Sequence, residues 1–396
     1  MGRTLECGVS APLWILFAKL WICGGSAFYS AAQFYSSAQR NRTARHPKAS
    51  PKSPKRCRAT AVQRGALQIW VLAIAIVSTA HAADAIKIEP AERWSAVFAE
   101  SSAKWTYRLS SEEPFRERAA WRLSVQQRTL ASGEVEVRGD KDRPAEFNVP
   151  LRFPSVKDGV VLEARLTVSV GDVRHEKPVW VFPQDPFADR REWLKELKLT
   201  VFDPAGDTVK QFETSEIPHS RVRQRDALDD VTEGMIVIGE RVSLAKHDGL
   251  MDDLQAAAVR GIPVLCLASE EGRFAWPGNA ERIASVTLRR MDVIRELDKR
   301  LDAAFWPPGK SSSARGLIVT TRRDDVVAEV SEEPAAWPWS EWQIARDVAS
   351  STETTRMIWC GLRVIDAWDD GPTPRYLLAR MLERLAGERK KDPAEG

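Results

Sequence analysis

The spacing of apolar residues changes once along this chain, and that change constrains the fold more than any other feature of the sequence. Between residues 86 and 182 apolar and polar residues alternate, in segments such as KWTYRLS, AEFNVPLRF and VVLEARLTVSV. Alternation places one face of a strand against a core and the other face in solvent. Turns containing Gly, Pro and Asp separate about six or seven such segments, a spacing typical of β-sandwiches. We therefore predict an immunoglobulin-like β-sandwich over residues 86–183, without the Cys-Trp-Cys pattern of antibody domains.

After residues 184–194, a Pro- and Asp-rich stretch that we interpret as a linker, the strands become continuous apolar runs. GMIVIGE and IPVLCLA are of the kind buried on both faces of a sheet, and an apolar-striped helix, DGLMDDLQAAAVR, lies between them. Further helices are expected at MDVIRELDKRLDAAF and GPTPRYLLARMLERLAG, and further buried runs at GLIVTTR and RMIWCGL. Strands that alternate with helices indicate a mainly parallel sheet covered on both sides. Residues 195–388 are therefore predicted to form a three-layer α/β domain, followed by a disordered tail at 389–396.

The order of these elements resembles the class I glutamine amidotransferase-like fold, which is flavodoxin-like. The resemblance rests on AAAVRG followed by IPVLCLA, a closing strand and the helix GPTPRYLLARMLERLAG, and it covers residues 195–388. Such domains also occur without amidotransferase activity beside β-sandwich domains in exported bacterial proteins. Active members carry a Gly-x-Cys-x-Gly nucleophile elbow and a downstream His-x-Glu, and this chain contains neither motif. The resemblance thus implies a fold and no catalytic residues.

The N-terminal 63 residues have a different character from the rest. The segment QRNRTARHPKASPKSPKRCR (39–58) contains no acidic residue and too few apolar residues to build a core. We interpret residues 1–63 as a disordered basic extension, or as the product of a start site placed too early. The segment lacks the interleaved aromatic residues of a nucleic-acid-binding arm, so no nucleic-acid partner is predicted.

Residues 64–83 have the pattern of a secretory signal peptide. Basic residues precede an apolar core, and the small residues that follow predict cleavage after Ala82 or Ala83. The rival interpretation is that the segment stays uncut as a membrane anchor, since about 17 apolar residues reach the lower limit for a span. Both interpretations predict export to the periplasm or cell envelope, with membrane contact only through this segment.

Cys266 and Cys360 are the two cysteines that would remain after cleavage. Cys266 is flanked by leucines within a strand-like run, which leaves three interpretations: a buried thiol, a disulfide partner of Cys360, or a nucleophile. A nucleophilic cysteine needs a base within hydrogen-bond reach. The histidines of the predicted domains are His175, His219 and His247, and none stands in a recognisable motif.

Ligands of open α/β sheets bind beyond the carboxyl ends of the strands. Polar and aromatic residues at the predicted strand ends therefore form the candidate binding site: Asp203, Thr208, Glu240, Glu270, Trp368 and Asp369. Such acids are suited to coordinating a hard cation, or to acting as an acid and base pair on a sugar. The alternative is structural, because Asp and Ser after strands commonly cap helices and set turns. The common phosphate-loop, dinucleotide and zinc motifs are absent, so no cofactor and no metal site is predicted.

Three tryptophans lie close together in AAWPWSEW, at Trp337, Trp339 and Trp342. One interpretation is a flat platform for stacking sugar rings. The other is packing, because Ser340 and Gln343 have the spacing of a helix capping box that would fasten a helix onto the sheet.

These patterns lead us to expect an exported, non-catalytic envelope protein that binds or scaffolds through its α/β domain, with carbohydrate or another envelope protein as partner. The competing hypothesis is a glycan hydrolase that uses Asp203, Glu240 and Asp369. That hypothesis requires the carboxylates to share one cleft, within about 10 Å of each other as in paired glycosidase acids.

Overall fold

The computed structural model shows a chain built mainly of β-strands in four sheets with a few helices, which is a β plus α/β organisation. The predicted N-terminal extension, the signal or anchor segment with Ala82 and Ala83, and the C-terminal tail lie outside the described residues. No helix among the described residues is long and apolar enough to cross a bilayer. The structure describes residues 86–141, 143–275, 282–302, 317–320, 326–330, 338–346 and 353–387.

The N-terminal part consists of two sheets that face a common core. One sheet has the antiparallel order β1-β3-β6, and the other has the order β2-β8-β7-β4-β5, with β2 and β8 parallel and its remaining pairs antiparallel. The strands are β1 Lys87–Pro90, β2 Ala96–Phe98, β3 Ser102–Ser110, β4 Phe115–Val125, β5 Arg128–Gly139, β6 Ala145–Arg152, β7 Leu162–Val170 and β8 Val173–Phe182.

The alternation of apolar and polar residues determines which face of each of these strands is buried. Along β6, Ala145, Phe147, Val149 and Leu151 are buried, and the residues between them are exposed. The inward residues of both sheets, Trp105 among them, pack into one apolar cluster. Because each large apolar side chain gains about 1.5–3 kcal/mol on full burial, this shared core holds the two sheets together.

The second part is organised around a seven-stranded sheet with the order β10-β9-β11-β12-β18-β17-β14. The first five strands of that order run parallel, and β17 and β14 join antiparallel at the end. All four residues of β11 and of β12 are buried, as expected of strands covered on both faces. The strands are β9 Leu199–Phe202, β10 His219–Val222, β11 Met235–Ile238, β12 Val264–Leu267, β14 Ile283–Arg289, β17 Trp339–Ala345 and β18 Thr354–Cys360.

Helices cover both faces of this sheet. Residues of α2 and α5 pack into the apolar cluster on one face, and residues of α3 pack into the cluster on the other. Gly261 ends α3 with a left-handed φ of +99°, a conformation that favours glycine at this position. The helices are α1 Arg191–Glu196, α2 Asp207–Thr214, α3 Leu250–Arg260, α4 Val293–Leu297 and α5 Pro372–Ala386.

Two helix predictions differ from the structure. Ser340 and Gln343 do not form a capping box, because the segment is strand β17 and pairs with β14 on one side and β18 on the other. Cross-strand pairing on both edges and burial of Trp342 and Ile344 on one face outweigh the local capping pattern. The helix expected at MDVIRELDKRLDAAF is observed only as the five residues of α4, which ends at Leu297, and residues 303–305 of that segment lie outside the described residues.

The run GLIVTTR forms a strand of a separate sheet rather than of the main one. This three-stranded sheet has the order β13-β15-β16, with β13 parallel to β15 and β15 antiparallel to β16. Its strands are β13 Gly272–Ala275, β15 Leu317–Thr320 and β16 Val326–Val330.

Polar contacts join the N-terminal sheets to the α/β part. The carboxylate of Asp302 accepts hydrogen bonds from the backbone N–H groups of Ser95 (2.7 Å) and Ala96 (2.9 Å). The buried hydroxyl of Tyr376 donates to the carbonyl of Pro183 at 3.1 Å. The Tyr376 bond ties the first turns of α5 to the end of the sandwich, and the Asp302 bonds tie the segment after α4 to β2.

Candidate functional site

A cleft of about 280 Å³ opens beyond the carboxyl ends of β9, β11 and β18. Of the six residues predicted for this edge, Glu240, Trp368 and Asp369 line the cleft, and the other three lie outside its lining. The lining residues are Asp207, Gln211, Glu240, Arg241, Ile365, Asp366, Trp368 and Asp369.

Asp203 is fully buried and acts as a helix cap. One carboxylate oxygen accepts from the N–H of Gly206 at 2.9 Å, and the other accepts from the N–H of Val209 at 3.0 Å. These N–H groups belong to the start of α2, where helical donors lack an intrahelical partner. The neighbouring strand approaches so closely that a Cβ at Gly239 would lie 2.9 Å from the Cβ of Asp203. The contacts of Asp203 therefore agree with the structural interpretation, in which an Asp after a strand caps the next helix.

Thr208 and Glu240 link three strand ends. The Thr208 hydroxyl accepts from the N–H of Glu240 at 2.9 Å. The Glu240 side chain, 2% exposed, accepts from the N–H of Ile365 at 2.6 Å and of Asp366 at 3.1 Å. Burial raises the pKa of Glu240 to about 8, although the two backbone hydrogen bonds favour its charged form. Glu240 is thus a buried carboxyl with a raised pKa at the inner wall of the cleft.

The exposed acids of the cleft are paired with arginines. Arg241 contacts Asp366 and, at 3.6 Å, Asp207. Its backbone has a left-handed φ of +62°, and its N–H donates to the carbonyl of Ala268 at 3.1 Å. The cleft mouth therefore presents both hydrogen-bond donors and acceptors.

Trp368 and Asp369 also line the cleft. The Asp369 carboxylate is 85% exposed and accepts from Arg375 at 2.7 Å. Trp368 is only 4% exposed, and the Arg375 guanidinium lies 5.6 Å from its ring centre. Its indole face is therefore not available for stacking on a ligand. Glu270, outside the cleft, pairs with Arg363.

The two cysteines are free, fully buried thiols on neighbouring strands. Cys266 is in register with Trp359, and both face the apolar cluster that contains α3. Cys360 is in register with Leu267 and faces the cluster on the other side of the sheet. The predicted alternative of a disulfide between Cys266 and Cys360 is therefore wrong, because the two side chains point to opposite faces of the sheet. Burial raises the pKa of the Cys266 thiol, and it raises that of Cys360 to about 12.

The three histidines pack against aromatic rings. His175 lies against Tyr107 in the sandwich, at 5.7 Å between ring centres. His219 lies against Phe212 at 5.7 Å, and His247 lies edge-on to Phe202 at 5.2 Å.

Trp339 and Trp342 are each 1% exposed, so they form no surface platform for sugar rings. Trp337 lies outside the described residues. The packing interpretation therefore describes these two tryptophans, although they belong to a strand and not to a helix.

Sequence reasoning missed five lining residues: Asp207, Gln211, Arg241, Ile365 and Asp366. Asp207, Arg241 and Asp366 each lie one to three positions from a predicted residue, and Gln211 lies one helical turn beyond Asp207. Extending each strand end by one turn of helix or loop would have included them. No group of three or more His, Cys, Asp or Glu side chains in the described part of the chain is placed to hold a metal ion.

No family model and no curated protein matches the chain. Among solved structures, an alkylpurine DNA glycosylase from Pseudomonas fluorescens is 7% identical over 24% of this chain and 30% of its own, with a TM-score of 0.19. A cycloisomaltooligosaccharide glucanotransferase from Paenibacillus sp. is 6% identical over 45% of this chain and 27% of its own, with a TM-score of 0.22. A chimeric titin Z1Z2 is 16% identical over 25% of this chain and 96% of its own, with a TM-score of 0.15. The chain thus spans less than a third of the first two, and likenesses this weak indicate neither a fold nor an activity.

Proposed function

We propose that this chain is an exported, non-catalytic binding or scaffolding protein of the cell envelope, and that its ligand is a carbohydrate held in the carboxyl-edge cleft. The observation that supports a non-catalytic role is the set of internal partners around the strand-end acids. The two buried acids have such partners, since Asp203 caps α2 and Glu240 accepts two backbone N–H groups. A carboxylate that acts as nucleophile or base must instead face its substrate.

The finer fold assignment belongs to the same proposal. We take the two N-terminal sheets as an immunoglobulin-like sandwich and the second part as a flavodoxin-like, amidotransferase-like domain. In enzymes with a nucleophile elbow, the catalytic residue occupies the sharp turn that follows a buried strand. The residue after β12 is Ala268, whose left-handed φ of +36° is unusual for a residue other than glycine. Its methyl group offers no nucleophile, which supports a role in recognition.

Carbohydrate is the ligand class that suits the cleft. Arg241 and Gln211 supply donors, and Asp207, Asp366 and Asp369 supply acceptors, so a ligand rich in hydroxyl groups would satisfy both kinds. A volume of about 280 Å³ lies near the lower end of the range of about 300–1,000 Å³ for small-molecule pockets. That size favours a single sugar residue or the end of a chain.

The test is glycan binding by the full chain, first on an array and then by calorimetry, with Arg241→Ala as the informative variant. Arg241 is 42% exposed and its ion pairs lie at the surface, so removing it costs little stability. We expect the variant to bind the preferred glycan at least about tenfold more weakly, since a hydrogen bond to a charged group contributes about 1.5–3 kcal/mol. Arg116→Ala in β4 removes an exposed arginine that is ion-paired with Glu136 in the sandwich, outside the cleft lining, and serves as control. Absence of glycan binding, or equal binding by Arg241→Ala, contradicts the proposal.

A glycan hydrolase is the second candidate, favoured by one observation. Glu240 and Asp369 line the same cleft, and Glu240 is a buried carboxyl with a raised pKa, as a general acid requires. Asp203 is not part of this candidate, because it does not line the cleft. Release of reducing sugar by the full chain, abolished in Glu240→Gln, would establish the hydrolase and refute the non-catalytic role.

Export rests on the apolar segment at residues 64–83. N-terminal sequencing of protein recovered from cell fractions tests it directly. A mature end at Ala83 or Asp84 in the periplasmic or secreted fraction supports a cleaved signal, and an intact segment in the membrane fraction supports an anchor. Intact protein in the cytoplasmic fraction contradicts export.

A further inference from the structure

A second groove lies at the opposite edge of the seven-stranded sheet, where β18 begins and α5 ends. Its volume is about 760 Å³, and arginines from three elements converge on it. Trp193 of α1 and Leu297 of α4 form apolar parts of the wall. The four arginines are Arg190, Arg356, Arg380 and Arg384.

Buried carboxylates hold these arginines in place. Glu341 of β17 is 6% exposed and contacts Arg356 at 2.8 Å and Arg384 at 2.6 Å. Asp298, 7% exposed, contacts Arg380 at 2.9 Å and Arg300 at 2.7 Å. Because the acids lie behind the guanidinium groups, the orientation of each arginine is set before any ligand arrives.

Glu383 is the acidic residue in the groove lining, and it bridges Arg190 and Arg380. Together with Asp298 and Glu341, it gives three carboxylates for five arginines. Arg300 does not line the groove, so the four groove arginines exceed the three carboxylates of the described network by one positive charge, and Arg300 adds a second beside Asp298. Several like charges around one groove repel each other, so an anion bound among them is favoured.

Donors remain for such an anion. A guanidinium has five N–H donors. The hydrogen bonds found in the described part of the chain use Nε and Nη1 of Arg190 and Nε of Arg384. The Arg190 guanidinium lies 5.0 Å from the ring centre of Trp193, which fixes its plane. The end of α5 presents carbonyls that oppose an anion, but Arg356 donates to the carbonyl of Arg384 and so compensates one of them.

We infer that this groove binds a phosphate group of a larger ligand. The paired N–H groups of arginine match the oxygens of phosphate, and clustered arginines are the usual way proteins recognise it. The volume exceeds what phosphate alone fills, so room remains for the sugar or glycerol to which the phosphate is attached. The inference is independent of the carbohydrate cleft, because the two sites share no residue.

The experiment measures binding of inorganic phosphate and of glucose 6-phosphate to the full chain by calorimetry, and of vesicles by cosedimentation. The vesicles contain either phosphatidylglycerol or phosphatidylcholine alone. Arg384→Gln is the informative variant, since Arg384 is 42% exposed and Arg356 still neutralises Glu341 in its absence. We expect saturable binding that weakens about tenfold or more in Arg384→Gln. Arg384→Lys, which keeps the charge, should restore part of the loss, and Arg116→Gln in the sandwich should bind like the parent.

The source of the phosphate follows from which probe binds. Binding of the soluble phosphates that is lost in Arg384→Gln supports a soluble ligand. Binding only to phosphatidylglycerol vesicles, again lost in Arg384→Gln, supports a lipid headgroup. Binding to none of the probes overturns the inference, and so does binding that Arg384→Gln and Arg356→Gln leave unchanged. Thermal unfolding of each variant shows whether a lost signal reflects a lost fold.

Discussion

Replacing Glu240 by glutamine should make the stability of the α/β part less dependent on pH. In the folded chain the pKa of Glu240 is about 8, against an ordinary value of 4.5. A carboxyl whose folded pKa is raised contributes stability below its unfolded pKa, and it loses that stability as pH rises through the folded value. The parent protein should therefore lose stability steadily between about pH 4.5 and pH 8.

The size of the effect follows from the two pKa values. At about 1.4 kcal/mol for each pH unit, the gap between them corresponds to a loss of up to about 5 kcal/mol across this range. Glutamine is neutral throughout, and its carbonyl oxygen keeps one acceptor for the N–H of Ile365 or Asp366. Glu240→Gln should therefore show a nearly flat profile over the same range. At alkaline pH it should equal or exceed the parent, because the parent then buries a charge.

The assay is urea unfolding followed by tryptophan fluorescence at steps from pH 5 to pH 9. Buried tryptophans of the α/β part, such as Trp342 and Trp359, contribute to this signal together with Trp105 of the sandwich. Glu163→Gln, at an exposed position in β7, controls for the loss of one carboxylate. Parallel pH profiles for the parent and Glu240→Gln would refute the reasoning, since they would mean that the two backbone hydrogen bonds balance the cost of burial.

Three further predictions follow from buried polar groups. Asp203→Ala should lower the free energy of unfolding in urea by about 2–4 kcal/mol. Asp203→Asn should lower it by about half as much, because asparagine keeps one acceptor for the start of α2, and equal losses would contradict the capping role. Cys266 and Cys360 should resist a water-soluble alkylating reagent in the native protein and react only on unfolding, as followed by peptide mapping; rapid native labelling would show that substrate can reach them. Tyr376→Phe should cost about 1 kcal/mol through the lost hydrogen bond to Pro183, and an unchanged unfolding midpoint would show that this bond adds no stability.

Strands were predictable from the sequence where burial on one face repeats at every second residue, as along β6. The segment that forms β17 was not predictable in this way. Ser340 and Gln343 match a capping box locally, and the strand is stabilised by pairing with β18, which follows it closely, and with β14, which is distant in sequence. Separation from β14 by a stretch of more than forty residues explains why no local pattern revealed it.

The candidate sites were also predictable only where they depend on local sequence patterns. Glu240 and Asp369 were found because the strand-end rule depends only on recognising strands. The partners that occupy Asp203 and Glu270 depend on the path of the next loop, so the sequence left their roles open. The arginine groove was missed altogether, because Arg190, Arg356 and Arg384 belong to three separate segments and form no motif.

Charged side chains are paired differently at the two edges of the main sheet. The cleft and the arginine groove at these edges are separated by about the length of α5. At the carboxyl edge the acids find internal donors, and at the amino edge the arginines exceed their partners. The fifteen residues of α5 span about 22 Å at 1.5 Å per residue, which is more than twice the screening length of about 8 Å at physiological ionic strength. An anion in the groove therefore exerts little direct field on the cleft. Any effect of phosphate on glycan binding would have to pass through a movement of α5 itself, whose apolar face is packed into the core along its whole length.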